Sequence, residues 1–358
     1  MKKINIGIIG VGGAGRAHAK RYKKNKFVDE VRGYDIKEID FDAINMRYDF
    51  NTFLDGLDAV SICTPDDTHY EYIVKCLEAR KHVLVEKPMV ASLDEATKLK
   101  KTLSKYPDLK FGVHHQMRFV PAFQQAKKIL NKNELGKVFY IEANYWHDMR
   151  ERNTKFDNWR VKGKGQSVIF GGACHPLDLL MHLNGGDISE HQTLYSKNGY
   201  EDYPSSYTSA TTILKFKDGV VAKCHTNNSV VFPQFNNLIV LGDKGTYIDG
   251  ILYKNGLFSP ASYGNPRVKF KNFFSIGFIE DMLVRLLTKS RFFRQNPQTV
   301  YDHNGACEII INDFVDSVAN NKSPLVGYGD GFRVIELCEQ IESTESTGSI
   351  SLNSGQVK

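Results

Sequence analysis

One lysine in the sequence stands where an open α/β sheet would present it to a bound ligand. Glu86-Lys87-Pro88 closes a predicted strand at 82–88, and ligands of such sheets bind at the carboxyl ends of the strands. A lysine in that position can hydrogen-bond a reacting oxygen and relay its proton. The competing interpretation is a surface lysine in a strand-to-loop turn.

A histidine and a carboxylate follow at a spacing that places them on one face of a helix. His175 and Asp178 are three positions apart, and Pro176 suits the first turn of the predicted helix. A histidine–carboxylate pair can transfer protons near neutral pH. We therefore predict Lys87, His175 and Asp178 as the catalytic set. The alternative is that His175 caps the helix and Asp178 is a first-turn charge favoured by the helix dipole.

A glycine-rich segment near the N-terminus fits the G-x-G-x-x-G pattern of dinucleotide-binding proteins. It lies between a predicted strand at 4–10 and a predicted helix at 14–24, as that pattern requires. Its predicted cofactor-binding residues are Gly10, Gly12, Gly13, Ala14 and Gly15. The glycines would make the tight turn, admit the pyrophosphate and let helix and strand pack closely, and the helix N-terminus would offer free N–H groups.

An acidic residue ends the next predicted strand. Asp35 comes twenty residues after Gly15, where a carboxylate can accept hydrogen bonds from the ribose hydroxyls of the cofactor. The same charge repels a 2′-phosphate, so the sequence favours NAD over NADP. The nearby Lys37 weakens that preference.

The elements that would position these residues change type near residue 121. Before it, short apolar runs alternate with helical patterns, which is typical of a parallel sheet with crossover helices. After it, one helix is followed by long alternating segments, the last at 246–253, and Asp218-Gly219 is a hairpin signal. We predict an α/β protein with a dinucleotide-binding domain over 1–120. A second α/β domain over 121–358 would carry a large, open, mainly antiparallel sheet.

Composition excludes several classes of protein. The chain has 358 residues, of which 41% are hydrophobic, but no uninterrupted apolar run reaches the length of a membrane span. The basic start and apolar stretch at the N-terminus resemble a secretory signal, but the dinucleotide pattern accounts for the same residues. Six scattered cysteines without a CxxC pair favour a reducing cytoplasm. His114 and His115 are adjacent rather than four apart, and no metal site is expected.

The net charge of +6 is too small and too local for a nucleic-acid-binding surface. Residues 264–294 hold seven basic and two acidic side chains, which leaves +5 in that segment. Its part at 278–294 is a basic amphipathic helix with three possible roles: a subunit contact or surface helix, a site for an anionic part of the substrate, or adsorption to a membrane surface.

Four residues on or just after the first strand of the second domain are predicted to face the substrate: Tyr145, His147, Trp159 and Arg160. An aromatic ring beside an arginine suits a sugar ring or an anionic group. Core packing of Trp159 is the alternative.

Taken in order along the chain, these motifs resemble the glucose–fructose oxidoreductase, inositol dehydrogenase and MocA (Gfo/Idh/MocA) family of NAD(P)-dependent enzymes. The similar segments include GVGGAG at 10–15, CTPDDTH at 63–69, VLVEKP at 83–88, GVHHQMRFVPAF at 112–123 and GGACHPLDLL at 171–180. The likeness extends over nearly the whole chain.

The resemblance implies a Rossmann domain followed by a domain whose open sheet makes oligomer contacts, hence a homodimer or homotetramer. It places Lys87 beside nicotinamide and substrate, and Thr64 and Pro65 at the border of the dinucleotide. Gln116 stands where the family has Asn or Gln. On the same motifs we add two further residues to the predicted cofactor-binding set, His69 and Glu86.

The sequence departs from the family at one position. Many members carry an aspartate four residues before the histidine, and here that position is Gly171. The predicted activity is hydride transfer between nicotinamide and a carbinol or carbonyl of a sugar, polyol or sugar derivative. Two alternatives remain open: an NAD-dependent glycoside hydrolase with a redox cycle, and a dinucleotide-sensing protein without turnover.

Overall fold

The computed structural model describes residues 3–149, 167–197, 207–231, 234–254 and 303–345. Among these residues, no helix combines the length and the apolarity that crossing a membrane requires. The described chain forms two sheets with helices packed against them.

The first sheet has six parallel strands in the order β3-β2-β1-β4-β5-β6. They are β1 (Ile4–Ile9), β2 (Val28–Tyr34), β3 (Asn45–Arg47), β4 (Ala59–Ile62), β5 (His82–Val85) and β6 (Phe111–Val113). The helices between them are α1 (Gly13–Tyr22), α2 (Phe50–Leu54), α3 (His69–Glu78) and α4 (Leu93–Leu103). The order in which the strands are added to the sheet reverses between β1 and β4. Dinucleotide-binding folds hold their ligand at this point.

Local sequence explains how these elements begin. Strand β4 is buried along its whole length, as its continuous apolar run predicts for a strand covered on both faces. Helix α4 begins after Ser92, whose hydroxyl accepts the N–H of Glu95 at 3.2 Å. The carboxylate of Glu95 accepts the N–H of Ala91 at 3.0 Å, one residue earlier than the usual capping box.

The second sheet has seven strands in the order β13-β12-β11-β7-β10-β9-β8. They are β7 (Val138–Trp146), β8 (Ile188–Ser196), β9 (Ser209–Phe216), β10 (Val221–Asn227), β11 (Phe235–Gly242), β12 (Gly245–Ile248) and β13 (Ile251–Lys254). All neighbouring pairs are antiparallel except β7 and β10, which confirms the predicted, mainly antiparallel sheet.

The alternating segment at 246–253 is not one strand. Asp249 and Gly250 both have positive φ, 44° and 96°, and turn the chain back so that β12 pairs with β13. Periodicity alone did not reveal this turn. The hairpin predicted at Asp218-Gly219 does join β9 to β10, with φ of 89° at Gly219.

Four further helices complete the described fold: α5 (Pro121–Asn131), α6 (Cys174–Asn184), α7 (His303–Ala319) and α8 (Tyr328–Glu345). Helix α7 returns to the first sheet, where Ile311 and Phe314 share one core with Ile4, Ile6 and Leu84. Side chains from both predicted domains therefore build the core behind β1. The boundary at residue 120 stays a prediction.

Candidate active site

The glycine-rich segment forms an open turn between β1 and α1. Gly10 has a φ of +84°, which glycine adopts without strain. A Cβ at Gly15 would lie 2.0 Å from the carbonyl oxygen of Gly10, whereas a Cβ at Gly12 or Gly13 would meet nothing within 4 Å. The turn therefore leaves space above the N-terminus of α1, where Gly13, Ala14 and their neighbours offer N–H groups. These residues fit a pyrophosphate.

Asp35 follows β2 and is bonded to the same turn. Its Oδ2 accepts the N–H of Val11 at 2.8 Å, and its Oδ1 accepts the N–H of Lys37 at 3.0 Å. Each carboxylate oxygen can accept a second hydrogen bond, so the side chain remains able to bind ribose hydroxyls. Lys37 is exposed.

His69 connects two loops at the edge of the first sheet. Its ring nitrogens lie 3.0 Å from the carbonyl oxygen of Thr64 and 2.9 Å from that of Pro88, and the side chain is buried. Both nitrogens thus face protein backbone. His69 thus supports the loop that carries Thr64 and Pro65, and its predicted contact with the cofactor stays a prediction.

Glu86 is the centre of a buried polar cluster behind the lysine. Its Oε1 lies 3.0 Å from Nε2 of His18 and 3.1 Å from Nδ1 of His114, and its Oε2 accepts the N–H of Lys87 at 3.2 Å. Nδ1 of His18 lies 2.8 Å from the hydroxyl of Ser61. Burial raises the pKa of Glu86, but the two histidines outweigh it and hold that pKa well below its usual value.

The donor atoms of His18, Glu86 and His114 all lie within 4.8 Å of one another, a spacing that is compatible with a metal ion and that the sequence did not indicate. Because Ser61 and Glu86 engage both ring nitrogens of His18, we interpret the cluster as a hydrogen-bond network. Its effect is to hold the backbone of Lys87 in place.

Lys87 reaches across to the second half of the chain. Its Nζ donates to the carbonyl oxygen of Gly171 at 3.0 Å. Gly171 lies in a turn of π-helix, Ile169–Ala173, directly before α6, and π-helical turns are frequent at functional sites. The lysine therefore meets a backbone carbonyl from the very residue that replaces the family's aspartate.

The neighbouring glycine explains the close packing of this turn. A Cβ at Gly172 would lie 2.5 Å from Cγ2 of Thr226 on β10. Any larger residue would have to displace either the Thr226 side chain or the turn that carries the carbonyl contacted by Lys87.

His175 lies in the first turn of α6 and is buried. Its ring stacks on that of Tyr145 from β7, with centroids 4.9 Å apart and planes at 25°. The hydroxyl of Tyr145 lies 3.0 Å from Nδ1 of His147. Three of the predicted residues of the second half, His175, Tyr145 and His147, thus form one contiguous group.

Asp178 has a different partner from the one that we predicted. Both of its oxygens accept hydrogen bonds from Arg118, at 2.8 and 2.6 Å, and a third nitrogen of Arg118 donates to Asp330 at 2.8 Å. Burial raises the pKa of Asp178, but His115 and Arg118 outweigh it, so that pKa is lowered. The Arg118 clamp, Arg118 with Asp178 and Asp330, fastens α6 to α8. Among the described residues no hydrogen bond joins Asp178 to His175, and a role of Asp178 in orienting His175 or a neighbouring hydroxyl stays a prediction.

Two buried side chains beside the clamp have unused hydrogen-bonding atoms. Within the described residues, both ring nitrogens of His115 and the Oε1 of Gln116 have no hydrogen-bond partner. Burial lowers the pKa of His115, so its ring is neutral at neutral pH. Gln116 can therefore serve a bound cofactor, as we predicted, and His115 is a site candidate that its adjacency to His114 concealed.

Trp159, Arg160 and the basic segment at 264–294 lie outside the described residues. Their contact with the substrate, and the three possible roles of the segment, stay predictions.

Comparison with known proteins identifies the family to which the chain belongs. Residues 4–115 match the oxidoreductase family with an NAD-binding Rossmann fold, abbreviated GFO_IDH_MocA, and residues 123–248 match the C-terminal domain of that family. Glucose-6-phosphate 3-dehydrogenase of Bacillus subtilis is 30% identical over 196 residues, which are 52% of this chain and 55% of that protein. The scyllo-inositol 2-dehydrogenase (NAD(+)) of the same organism is 27% identical over 200 residues, 55% of this chain and 56% of that protein. The matches span about half the length of these two relatives.

A solved structure shares the fold along the chain. It is scyllo-inositol dehydrogenase from Lactobacillus casei with bound NAD(H) and scyllo-inositol, with a TM-score of 0.75, 17% identity and 96% of each chain covered. The predicted fold class, the NAD-binding domain and the assignment to an oxidoreductase family are confirmed. The chain belongs to the Gfo/Idh/MocA family of oxidoreductases.

Proposed function

We propose that this protein is an NAD-dependent dehydrogenase or reductase that acts on a hydroxyl or carbonyl group of a sugar, polyol or sugar derivative. Lys87 and His175 would be its proton-transfer groups. One observation carries the proposal: Lys87, at the carboxyl edge of the first sheet, donates to the carbonyl of Gly171 in the turn that leads into His175. This contact brings the nucleotide-binding sheet and the histidine to one place.

The cofactor, the lysine and the histidine would each have a separate role in the reaction. A bound nicotinamide supplies the hydride acceptor or donor for the carbinol carbon. The ammonium group of Lys87 has three N–H donors, of which Gly171 takes one, so the others would hold the reacting oxygen and relay its proton. His175, fixed by its stack on Tyr145, would accept or return the hydroxyl proton.

The substrate class is supported by the relatives and by the chemistry of the site. The matched proteins include a scyllo-inositol 2-dehydrogenase and a glucose-6-phosphate 3-dehydrogenase. The described residues around His175 include Tyr145 and His147, a polar aromatic surface that suits a ring with hydroxyl groups. Asp35, at the end of β2, favours NAD over NADP by charge repulsion.

Replacement of Lys87 tests the mechanism. Lys87→Ala should lower kcat by about 10²–10⁴-fold, the usual contribution of a positioned proton-transfer group, with unchanged affinity for NAD. Turnover is followed as NADH absorbance with myo-inositol, scyllo-inositol and glucose 6-phosphate, and NAD affinity by calorimetry. Lys100→Ala, at an exposed position of α4, is the matched control. Unchanged turnover of Lys87→Ala would contradict the proposal.

The same assay separates the alternatives. Net NADH formation is expected. Release of sugar from a glycoside without net NADH would instead indicate the hydrolase with a redox cycle. NAD binding without any turnover would indicate a sensor.

A further inference from the structure

Asn236 is a buried amide without a partner. It lies near the start of β11 and is 5% exposed. Within the described part of the chain, neither its Oδ1 nor its Nδ2 has a hydrogen-bond partner. Buried polar side chains almost always have at least one partner, and an unsatisfied one costs stability. An explanation for Asn236 is therefore required.

The next residue shows that the strand itself does not demand an unpaired amide. Asn237 points to the opposite face of the sheet, because side chains alternate along a strand. Its Oδ1 accepts a hydrogen bond from Nδ2 of Asn144 at 2.8 Å. The two adjacent asparagines thus carry the same amide group, but among the described residues only Asn237 has a hydrogen-bond partner.

The register of the sheet places Asn236 at the active site. It stands directly opposite Tyr145 in the antiparallel pair of β11 and β7, and directly opposite side chains share a face with Cβ atoms about 5 Å apart. The ring of Tyr145 stacks on His175. On the other side of Tyr145, Thr226 is its partner in β10 and touches the position of Gly172. Asn236 therefore belongs to the surface that surrounds His175.

We propose that Asn236 is a substrate-binding residue, whose amide hydrogen-bonds a ring hydroxyl other than the reacting one. This inference rests on the proposed function and specifies its substrate side. An amide offers two N–H donors and one carbonyl acceptor, and a hydroxyl can satisfy both kinds of group. A carboxylate or phosphate only accepts, so it would leave Oδ1 unsatisfied. The chemistry at this position thus selects an uncharged polyol or sugar hydroxyl.

A stability comparison tests the inference without any substrate. Asn236→Leu replaces the unsatisfied amide by an apolar group with the same branching and should raise the Tm of the ligand-free protein by about 1–2 °C, the shift expected for about 1 kcal/mol in a chain of 358 residues. Asn237→Leu breaks the bond to Asn144 and should lower the Tm. If Asn236→Leu lowers the Tm like its neighbour, the amide is structural and the inference is wrong.

A kinetic comparison tests the role in binding. Of myo-inositol and scyllo-inositol, the better substrate is used together with its monodeoxy analogues. Asn236→Leu should lower kcat/KM about tenfold or more, mainly through KM, and one analogue should show no further loss in the variant because it lacks the hydroxyl concerned. Asn237→Leu should keep the wild-type preference among analogues.

The two proposals fail in different ways. Equal kcat/KM of wild type and Asn236→Leu on every substrate and analogue would overturn the inference about Asn236 and leave the proposed dehydrogenase intact. Absence of NADH formation by the wild type on the whole panel would count against the proposed function, and the Tm comparison would still decide whether the amide is structural.

Discussion

Glu86 supports Lys87 from behind through a partly buried carboxylate whose pKa is held well below its usual value. Its neighbours His18 and His114 lie on α1 and just after β6, so three elements of the first sheet meet at one side chain. The position of the lysine that we propose as a substrate contact therefore depends on this cluster.

The cluster predicts a pH dependence of stability. The folded pKa of Glu86 lies well below its usual 4.5, so the carboxylate contributes stability that is present above pH 4.5 and is lost as the pH falls through the folded pKa. Glu86→Gln should lower the free energy of unfolding at pH 7 and should show a shallower loss toward acid. Urea denaturation between pH 3 and pH 7 measures both.

A matched control exists on the surface. Glu71 forms an exposed pair with Lys75 on α3, and Glu71→Gln should leave the acid slope as in the wild type. An unchanged slope in Glu86→Gln would show that the cluster does not stabilise the fold by charge.

At the scale of elements, the Arg118 clamp joins the turn after β6 to α6 and α8. Asp178 is fully buried and Arg118 nearly so, and removing the charge of Asp178 leaves the buried guanidinium with only the more exposed carboxylate of Asp330. Asp178→Asn should therefore reduce the free energy of unfolding by about 3 kcal/mol, measured in urea. Asp94→Asn, in an exposed pair with Lys98, should cost far less, because solvent screens that pair.

The same variant distinguishes the two assignments of Asp178. If Asp178 oriented His175, the variant would keep its stability and lose turnover. If Asp178 serves the clamp, the variant should lose stability, and the molecules that remain folded should keep much of their kcat. Turnover per folded molecule decides between them.

Sequence patterns predicted the elements that are determined locally. The buried run of β4, the hairpin at Gly219 and the turn at Gly10 each follow from residues within a few positions. The clamp joins residues 60 apart and Lys87 meets a carbonyl 84 residues away, and no local pattern specifies such pairs. One signal was available: Arg118 stands among apolar neighbours, and a buried guanidinium needs carboxylates.

At the scale of the whole molecule, the outer face of the second sheet is the surface on which we expect the oligomer to form. It exposes apolar side chains on neighbouring strands, with Leu194 72% and Ile213 49% exposed. Both belong to the face that alternates away from the buried side of β8 and β9. Exposed apolar patches of this kind mark interaction sites.

Charge placed on that face should separate the subunits. Leu194→Glu combined with Ile213→Glu should shift the mass measured by light scattering from a dimer or tetramer to the 40.6 kDa of one chain. Leu325→Glu, at a 61% exposed leucine elsewhere on the surface, should leave the mass unchanged. A wild type that already has the mass of one chain would contradict the expectation.

Helix α7 has a consequence for the order in which this protein can be made. A ribosome delivers β1 to β6 long before the helix that begins at His303, yet Ile311 and Phe314 line the core of the nucleotide-binding sheet. Until those residues leave the ribosome, the apolar side chains around Ile4 and Ile6 stay exposed on the nascent chain. Completion of this core therefore has to wait until the residues up to Phe314 have left the ribosome.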